Sequence, residues 1–168
     1  MWYTALIPFV LQALAIFFDE AVFHVRRGLP KWERIGHPLD TLTVLCCMGF
    51  VLWVPFSKAM LITYIVLAVF STLFVTKDEF VHKEVCPASE QWLHAVLFTL
   101  HPITLTAAGF MWPVVQGVQV ESWIFSWLNN PEALHLFLYG QFAAMSAFLF
   151  YQIIFWNVLW KESLHDQQ

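Results

Sequence analysis

Charge is scarce in this sequence. Asp, Glu, Lys and Arg make up 12% of its 168 residues, about half the quarter found in soluble domains. The formal net charge of −4 leaves no basic footprint for nucleic acid. Glycine is sparse too, at six residues, and builds neither a phosphate-cradling loop nor a dinucleotide fingerprint. A Gly-x-Ser-x-Gly nucleophile elbow is missing. The three cysteines, Cys46, Cys47 and Cys86, form no Cys-x-x-Cys pair. Cys46 and Cys47 are adjacent inside an apolar run and read as packing thiols, not as redox or zinc ligands. The paired and triple histidines that mark membrane desaturases and hydroxylases are likewise absent.

What is there instead is apolar bulk. Hydrophobic residues reach 60%, with nine Trp and seventeen Phe, and the mean hydropathy is +0.65. A helix needs roughly 20 apolar residues to cross the hydrocarbon of a bilayer. Five stretches qualify, at about residues 2–25, 39–54, 59–76, 91–112 and 133–160. The reading is an all-α, polytopic membrane bundle forming one transmembrane helical domain over residues 1–168. The first stretch lacks a basic leader and a small-residue cleavage site, and it carries Asp19, Glu20 and His24 near its end, unlike a cleaved signal peptide. Pro38 is expected in the first turn of the second span. Ser89 is the expected N-cap of the fourth, and Asn129-Asn130-Pro131 starts the fifth. No internal repeat is visible, which disfavours inverted-repeat transporter architecture.

Basic residues set the orientation. With the amino terminus outside, Arg26, Arg27, Lys31, Arg34, Lys77, Lys83 and Lys161 fall on the cytoplasmic side and only Lys58 on the other. That bias places the amino terminus outside and the carboxy terminus in the cytoplasm. The expected setting is the inner membrane of a bacterium. Trp123, Phe125 and Trp127, between spans four and five, suit an interfacial segment. Trp156 and Trp160 fall in an aromatic belt at a span end.

The few ionisable residues are concentrated on one side. Span one ends in Asp19-Glu20 and His24, span two begins at His37 and Asp40, span three ends in Asp78-Glu79 and His82, and span four begins with Glu90 and His94. His101 lies seven residues beyond His94. Alternating topology brings all four ends to the cytoplasmic layer. Glu20–His24 and Glu90–His94 are four apart and Glu79–His82 three apart, so each pair shares a helix face. Glu20 lies about 9 Å before Arg26 along the helix, below the headgroups, where an unpaired carboxylate is costly and marks function.

Carboxylates and imidazoles delivered by several helices suit a metal pair in a bundle core. Glu79-x-x-His82 has the Glu-x-x-His spacing of ferritin-like di-iron bundles, a likeness of one tetrapeptide. The expected ligands are Glu20, His24, Glu79, His82, Glu90 and His94, assisted by Asp40 or His101. More ordinary roles are available for several groups. Glu33, Asp78 and Glu84 read as solvated or paired with Arg34, Lys77 and Lys83. Glu90 and Asp40 fit first-turn acids favoured by the helix dipole. His37 reads as a loop residue, and His101, before Pro102, as a donor to a carbonyl freed by the kink.

Carboxylate and imidazole without thiolate suits iron, manganese or zinc. Six strong candidates exceed the four ligands of an ordinary zinc site, so the expected cofactor is a pair of transition-metal ions, iron preferred. The expected activity is oxidation of a lipid or quinone-like, membrane-dissolved substrate, with a partner protein supplying electrons. The alternatives are a zinc-dependent membrane hydrolase, a metal-ion transporter and a structural subunit of a membrane complex. For transport, the outer half offers only uncharged groups such as Thr63, Thr104, Thr106, Gln141 and Ser146. A structural role leaves the convergent acids and histidines without a reason.

Overall fold

The five apolar stretches become five long helices in the computed structural model, which describes residues 1–80 and 86–160. They are α1 (Trp2–Arg27), α2 (Glu33–Trp53), α3 (Lys58–Val75), α4 (Ala88–Val115) and α6 (Pro131–Leu159), each long and apolar enough to cross a membrane. A short helix, α5 (Ser122–Trp127), joins α4 to α6 and exposes Trp123 and Phe125. No strand occurs among the described residues.

Local chemistry fixes most of the ends. The Ser57 hydroxyl accepts from the Met60 amide to cap α3, and the Asn130 side chain accepts from the Ala133 amide, with Pro131 as the first residue of α6. Helix α4 starts directly after Pro87 without a side-chain cap. Ser89 therefore lies inside its first turn and does not cap it. Gly28 ends α1 at φ +76°, a left-handed conformation that glycine adopts without steric cost. The chain reverses there, so Arg27 and Glu33 face each other across six residues.

Helix α2 begins six residues before the expected position 39. Pro38 sits within it, where its missing N–H strands the carbonyl of residue 34. Asn157 of α6 approaches that oxygen at 3.5 Å, and Arg27 grips Glu33 in the first turn. Tertiary contacts thus carry the helix through a residue that would otherwise open it.

Helix α2 packs along α6 and α1 along α4, while α3 lies against α2 and α4. Away from the acidic end, the core centres on Trp112, fully buried among Phe50, Phe56 and Tyr64. The Trp112 indole N–H donates to the Val54 carbonyl at 2.9 Å. Gln116 donates to the same oxygen at 2.7 Å and accepts from the Phe56 amide at 2.9 Å. The end of α4 thereby clamps the tight α2–α3 corner. The outward faces are apolar: Ile62, Val66 and Leu73 of α3 are 65%, 64% and 66% exposed.

Candidate metal centre

The acidic end of α1 is not a regular α-helix. Residues Asp19–His24 form a π turn, and the Val25 amide donates to the Glu20 carbonyl five residues back. A π turn widens the helix by one residue and recurs at functional sites. Here it lets two adjacent acids reach one imidazole. The Nδ1–H of His24 donates to Glu20 Oε2 at 3.0 Å, while His24 Nε2 stands 3.2 Å from Asp19 Oδ2. On a 3.6-residue helix, Asp19 and His24 would not share a face.

The other half of the site comes from the start of α4. Glu90 and His94, one turn apart, both point at α1. The Nε2–H of His94 donates to Asp19 Oδ2 at 3.2 Å, and Glu90 Oε1 lies 3.9 Å from His24 Nε2. Asp19, His24, Glu90 and His94 are all buried, and each offers a ligand atom within 4.8 Å of the others. Such a group could hold a metal ion. A second group, His24, Glu33 and His37, meets the same criterion and shares His24 with the first. The His24 and His37 rings stack with centroids 4.9 Å apart.

Three more side chains set the protonation and charge of the centre. Tyr151 and Trp156 of α6 donate to Glu20 Oε1 at 2.7 and 2.8 Å. With His24 on its other oxygen, Glu20 is fully engaged. It fixes His24 with the proton on Nδ1 and leaves Nε2, which makes no hydrogen bond, turned toward Asp19 and Glu90. Arg27 donates to Glu33 at 3.0 Å and to Glu90 at 2.9 Å. Of the four buried carboxylates, Arg27 thus meets Glu33 and Glu90, while Asp19 and Glu20 face the imidazoles. Asp19 Oδ1 is buried with no hydrogen-bond partner.

The structure gathers His24, Glu90 and His94 as the spacing suggests, and it sets Glu20 beside them as the acceptor that orients His24. Asp40 lies nearby, in the eighth position of α2 and not in its first turn, and takes the Lys77 ammonium at 2.6 Å. His101 lines the same cavity but bonds Gln12 and Ser71 at 3.3 and 3.0 Å, not a carbonyl freed by Pro102. Glu79 is exposed and belongs to neither group; His82 lies outside the described residues.

Five contributors escape the sequence reading, Tyr151 of α6 among them. Asp19 is five residues from its partner, invisible to α-periodicity. Glu33 is fully buried against Arg27, not solvated or paired with Arg34 alone. His37 is helical because α2 begins early. Trp156, at the span end, is buried on Glu20. The only sequence signal for any of these is the Asp-Glu doublet itself, since two adjacent acids in an apolar run are rare.

A cavity of about 120 Å³ opens beside the centre, bordered by Asp19, His24, His37, His94 and His101. It adjoins a larger apolar groove of about 510 Å³ between α1 and α6. Gln12, Ile16, Glu20, Val44, Met145 and Phe148 line both. Outside the helices, burial pushes the Cys86 thiol up to about 12, which keeps it protonated and inert at neutral pH. Compared with protein-family models, curated proteins and solved structures, the chain matches none.

Proposed function

We propose that this chain is a metal-dependent enzyme embedded in a bacterial inner membrane, with its amino terminus outside. It would carry two transition-metal ions, preferably iron, at the cytoplasmic ends of α1, α2 and α4. The observation that carries the reading is the convergence of Asp19, His24, Glu90 and His94 within 4.8 Å, all buried. Four buried carboxylates, two of them on Arg27, are costly to hold in a low-dielectric interior, and two divalent cations would offset that cost. The donor set also fits: carboxylate oxygens and imidazoles without thiolate suit iron, manganese and zinc. The buried Asp19 Oδ1 and His24 Nε2, neither hydrogen-bonded, are of the kind an ion would take up. Membrane embedding is supported by five helices of sufficient length and apolarity and by apolar outward faces that water would not tolerate over such an area.

Asp19, His24, Glu90 and His94 would hold one ion, and Glu33 and His37 mark the second position, because the one acceptor nitrogen of His24 can serve a single ion. Two iron ions, when bound, would supply oxygen activation. The chain itself does the positioning. Glu20 keeps the proton of His24 on Nδ1, and Tyr151 and Trp156 keep Glu20 in place. Arg27 balances Glu33 and Glu90 and holds α1 to α2 and α4. The apolar groove would admit a lipid or quinone-like molecule to the cavity beside the centre, and a partner protein would deliver electrons from the cytoplasm.

Elemental analysis of the purified full chain tests the reading. About two transition-metal ions per chain are expected, lost on His24→Ala or His94→Ala. A protein without stoichiometric metal after reconstitution with ferrous, manganous and zinc salts would refute it. Bound zinc with ester or amide hydrolysis and no oxygen uptake would replace oxidation with the hydrolase.

A further inference from the structure

Deep in the bundle a polar chain crosses four helices. Thr43 Oγ1 donates to the Asp40 carbonyl at 2.8 Å and lies 2.7 Å from Ser71 Oγ. Ser71 Oγ lies 3.0 Å from His101 Nε2, and His101 Nδ1 lies 3.3 Å from the Gln12 amide. With the Thr43 proton on that carbonyl, proton counting sets the remaining directions. Thr43 has one hydroxyl proton and spends it on the carbonyl, so Ser71 must donate to Thr43. Ser71 then has none left, so His101 must donate from Nε2. His101 bonds an amide and a hydroxyl, neither of them charged, and the neutral ring is the cheaper form in hydrocarbon, so Nδ1 is an acceptor and only the Gln12 NH₂ can serve it. The amide cannot turn over without breaking the whole relay.

The consequence lies at the free end. Gln12 Oε1 is buried and has no hydrogen-bond partner among the described residues, and Gln12 is 8% exposed. The residue borders both the cavity and the α1–α6 groove. That groove runs from Phe9 to Val25 of α1, about 24 Å at 1.5 Å per residue, most of the roughly 30 Å hydrocarbon thickness. Its walls are mostly apolar, with Gln12, Glu20, Thr104, Gln141 and Tyr151 as the polar groups among them, and Gln12 lies about 12 Å along the helix from Glu20. A buried acceptor without a partner is costly, and a ligand that satisfies it is strongly preferred over one that cannot.

We propose that the α1–α6 groove binds a long-chain amphiphile whose hydroxyl, carried at mid-membrane depth, donates to Gln12 Oε1. This rests on the membrane-embedded reading above and names the substrate class of that centre. A charged donor such as an ammonium is excluded by the depth. A plain hydrocarbon chain would leave the acceptor unsatisfied. The hydroxyl could belong to a hydroquinone ring or to a hydroxylated acyl chain, which share this chemistry.

Photo-crosslinking of the full chain in phospholipid nanodiscs tests it. The probes are a diazirine-bearing long-chain alcohol with its hydroxyl at mid-chain and the matching methyl ether, which lacks the donor. Adducts on α1 and α6 should favour the alcohol by about tenfold, the value of one buried hydrogen bond. Gln12→Met should abolish the preference while leaving ether labelling in place. Ser71→Ala, which frees the amide to turn over, should weaken it. Ala144→Phe, which fills the groove from α6 without touching the relay, should suppress both probes. Unlabelled alkyl hydroquinone and hydroxylated fatty acid serve as competitors. Competition by either supports the proposal and identifies the source. Equal labelling by alcohol and ether, a preference that survives Gln12→Met, or competition by neither would overturn it. Metal content measured on the same samples separates the two claims. Alcohol preference in metal-free protein refutes the metal centre alone, and bound metal without the preference refutes this groove alone.

Discussion

Replacing Glu20 by Gln keeps shape and volume but should disable His24 as a ligand. A carboxylate has two acceptor oxygens, and both are in use: one takes Tyr151 and Trp156, the other takes His24 Nδ1–H. An amide has one oxygen and one NH₂. The oxygen gains two hydrogen bonds by facing Tyr151 and Trp156 and only one by facing His24, so it faces α6. The NH₂ is then presented to His24 Nδ1, which must become the acceptor, and the proton moves to Nε2. That nitrogen is the one turned toward Asp19 and Glu90. Metal binding would have to restore the original tautomer at the cost of about one hydrogen bond to a charged group, roughly 1.5–3 kcal/mol. The expected loss in metal affinity is about 10- to 100-fold, measured by competition against a chelator of known affinity. Nitrogen-15 NMR of labelled His24 in metal-free protein should show the tautomer change directly. Tyr151→Phe, which leaves Trp156 and His24 on Glu20, should shift affinity by less. Wild-type affinity in a folded Glu20→Gln protein would refute both the tautomer argument and the role given to His24.

Arg27→Met leaves Glu33 and Glu90 without their guanidinium and should destabilise the protein by about 3 kcal/mol; metal saturation should recover part of the loss of Tm in detergent, and an unchanged Tm would show that the pairing is idle. Trp112→Ala empties the packed outer core and strips a donor from Val54, costing about 3–5 kcal/mol, with metal affinity unaffected because the centre lies at the other end of the bundle. Burial pushes the Cys86 thiol up to about 12, so alkylation by iodoacetamide should be slow at about pH 8 and rise only as the thiolate forms at higher pH; labelling at the denatured-state rate would contradict its burial. Reporter fusions should place the amino terminus outside and the carboxy terminus in the cytoplasm, and a cytoplasmic amino terminus would refute the orientation drawn from the basic residues.

The helices were legible because composition alone demanded them. Uncharged runs of this length have few other ways to satisfy their backbone, and Ser57, Asn130 and Gly28 mark their ends with ordinary capping chemistry. Half of the site was legible too. Glu20–His24 and Glu90–His94 follow from a spacing of four and from topology that returns α1 and α4 to one layer. What escaped depends on departures from regularity. Asp19 requires a π turn that no 3.6-residue pattern foretells. His37 and Glu33 require α2 to run back through Pro38, which rests on contacts from Asn157 and Arg27. Glu20 was expected to touch metal, and the structure gives both its oxygens to other donors. Spacing alone does not tell a ligand from the group that holds a ligand.

The π turn also sets the phase of α1. Each residue of a regular helix advances the side chain by about 100°, and the wide turn at Asp19–His24 takes up one residue more than its length along the axis needs. Deleting one residue there would restore a continuous α-helix and rotate everything before it by about 100° relative to His24. Gln12, Ile16, Asp19 and Glu20 could not then keep their places on the cavity while His24 kept its own. A single-residue deletion in α1, conservative by composition, would part Asp19 and Glu20 from the imidazole of His24. A helical wheel drawn over all of α1 in one phase misplaces one of them from the start.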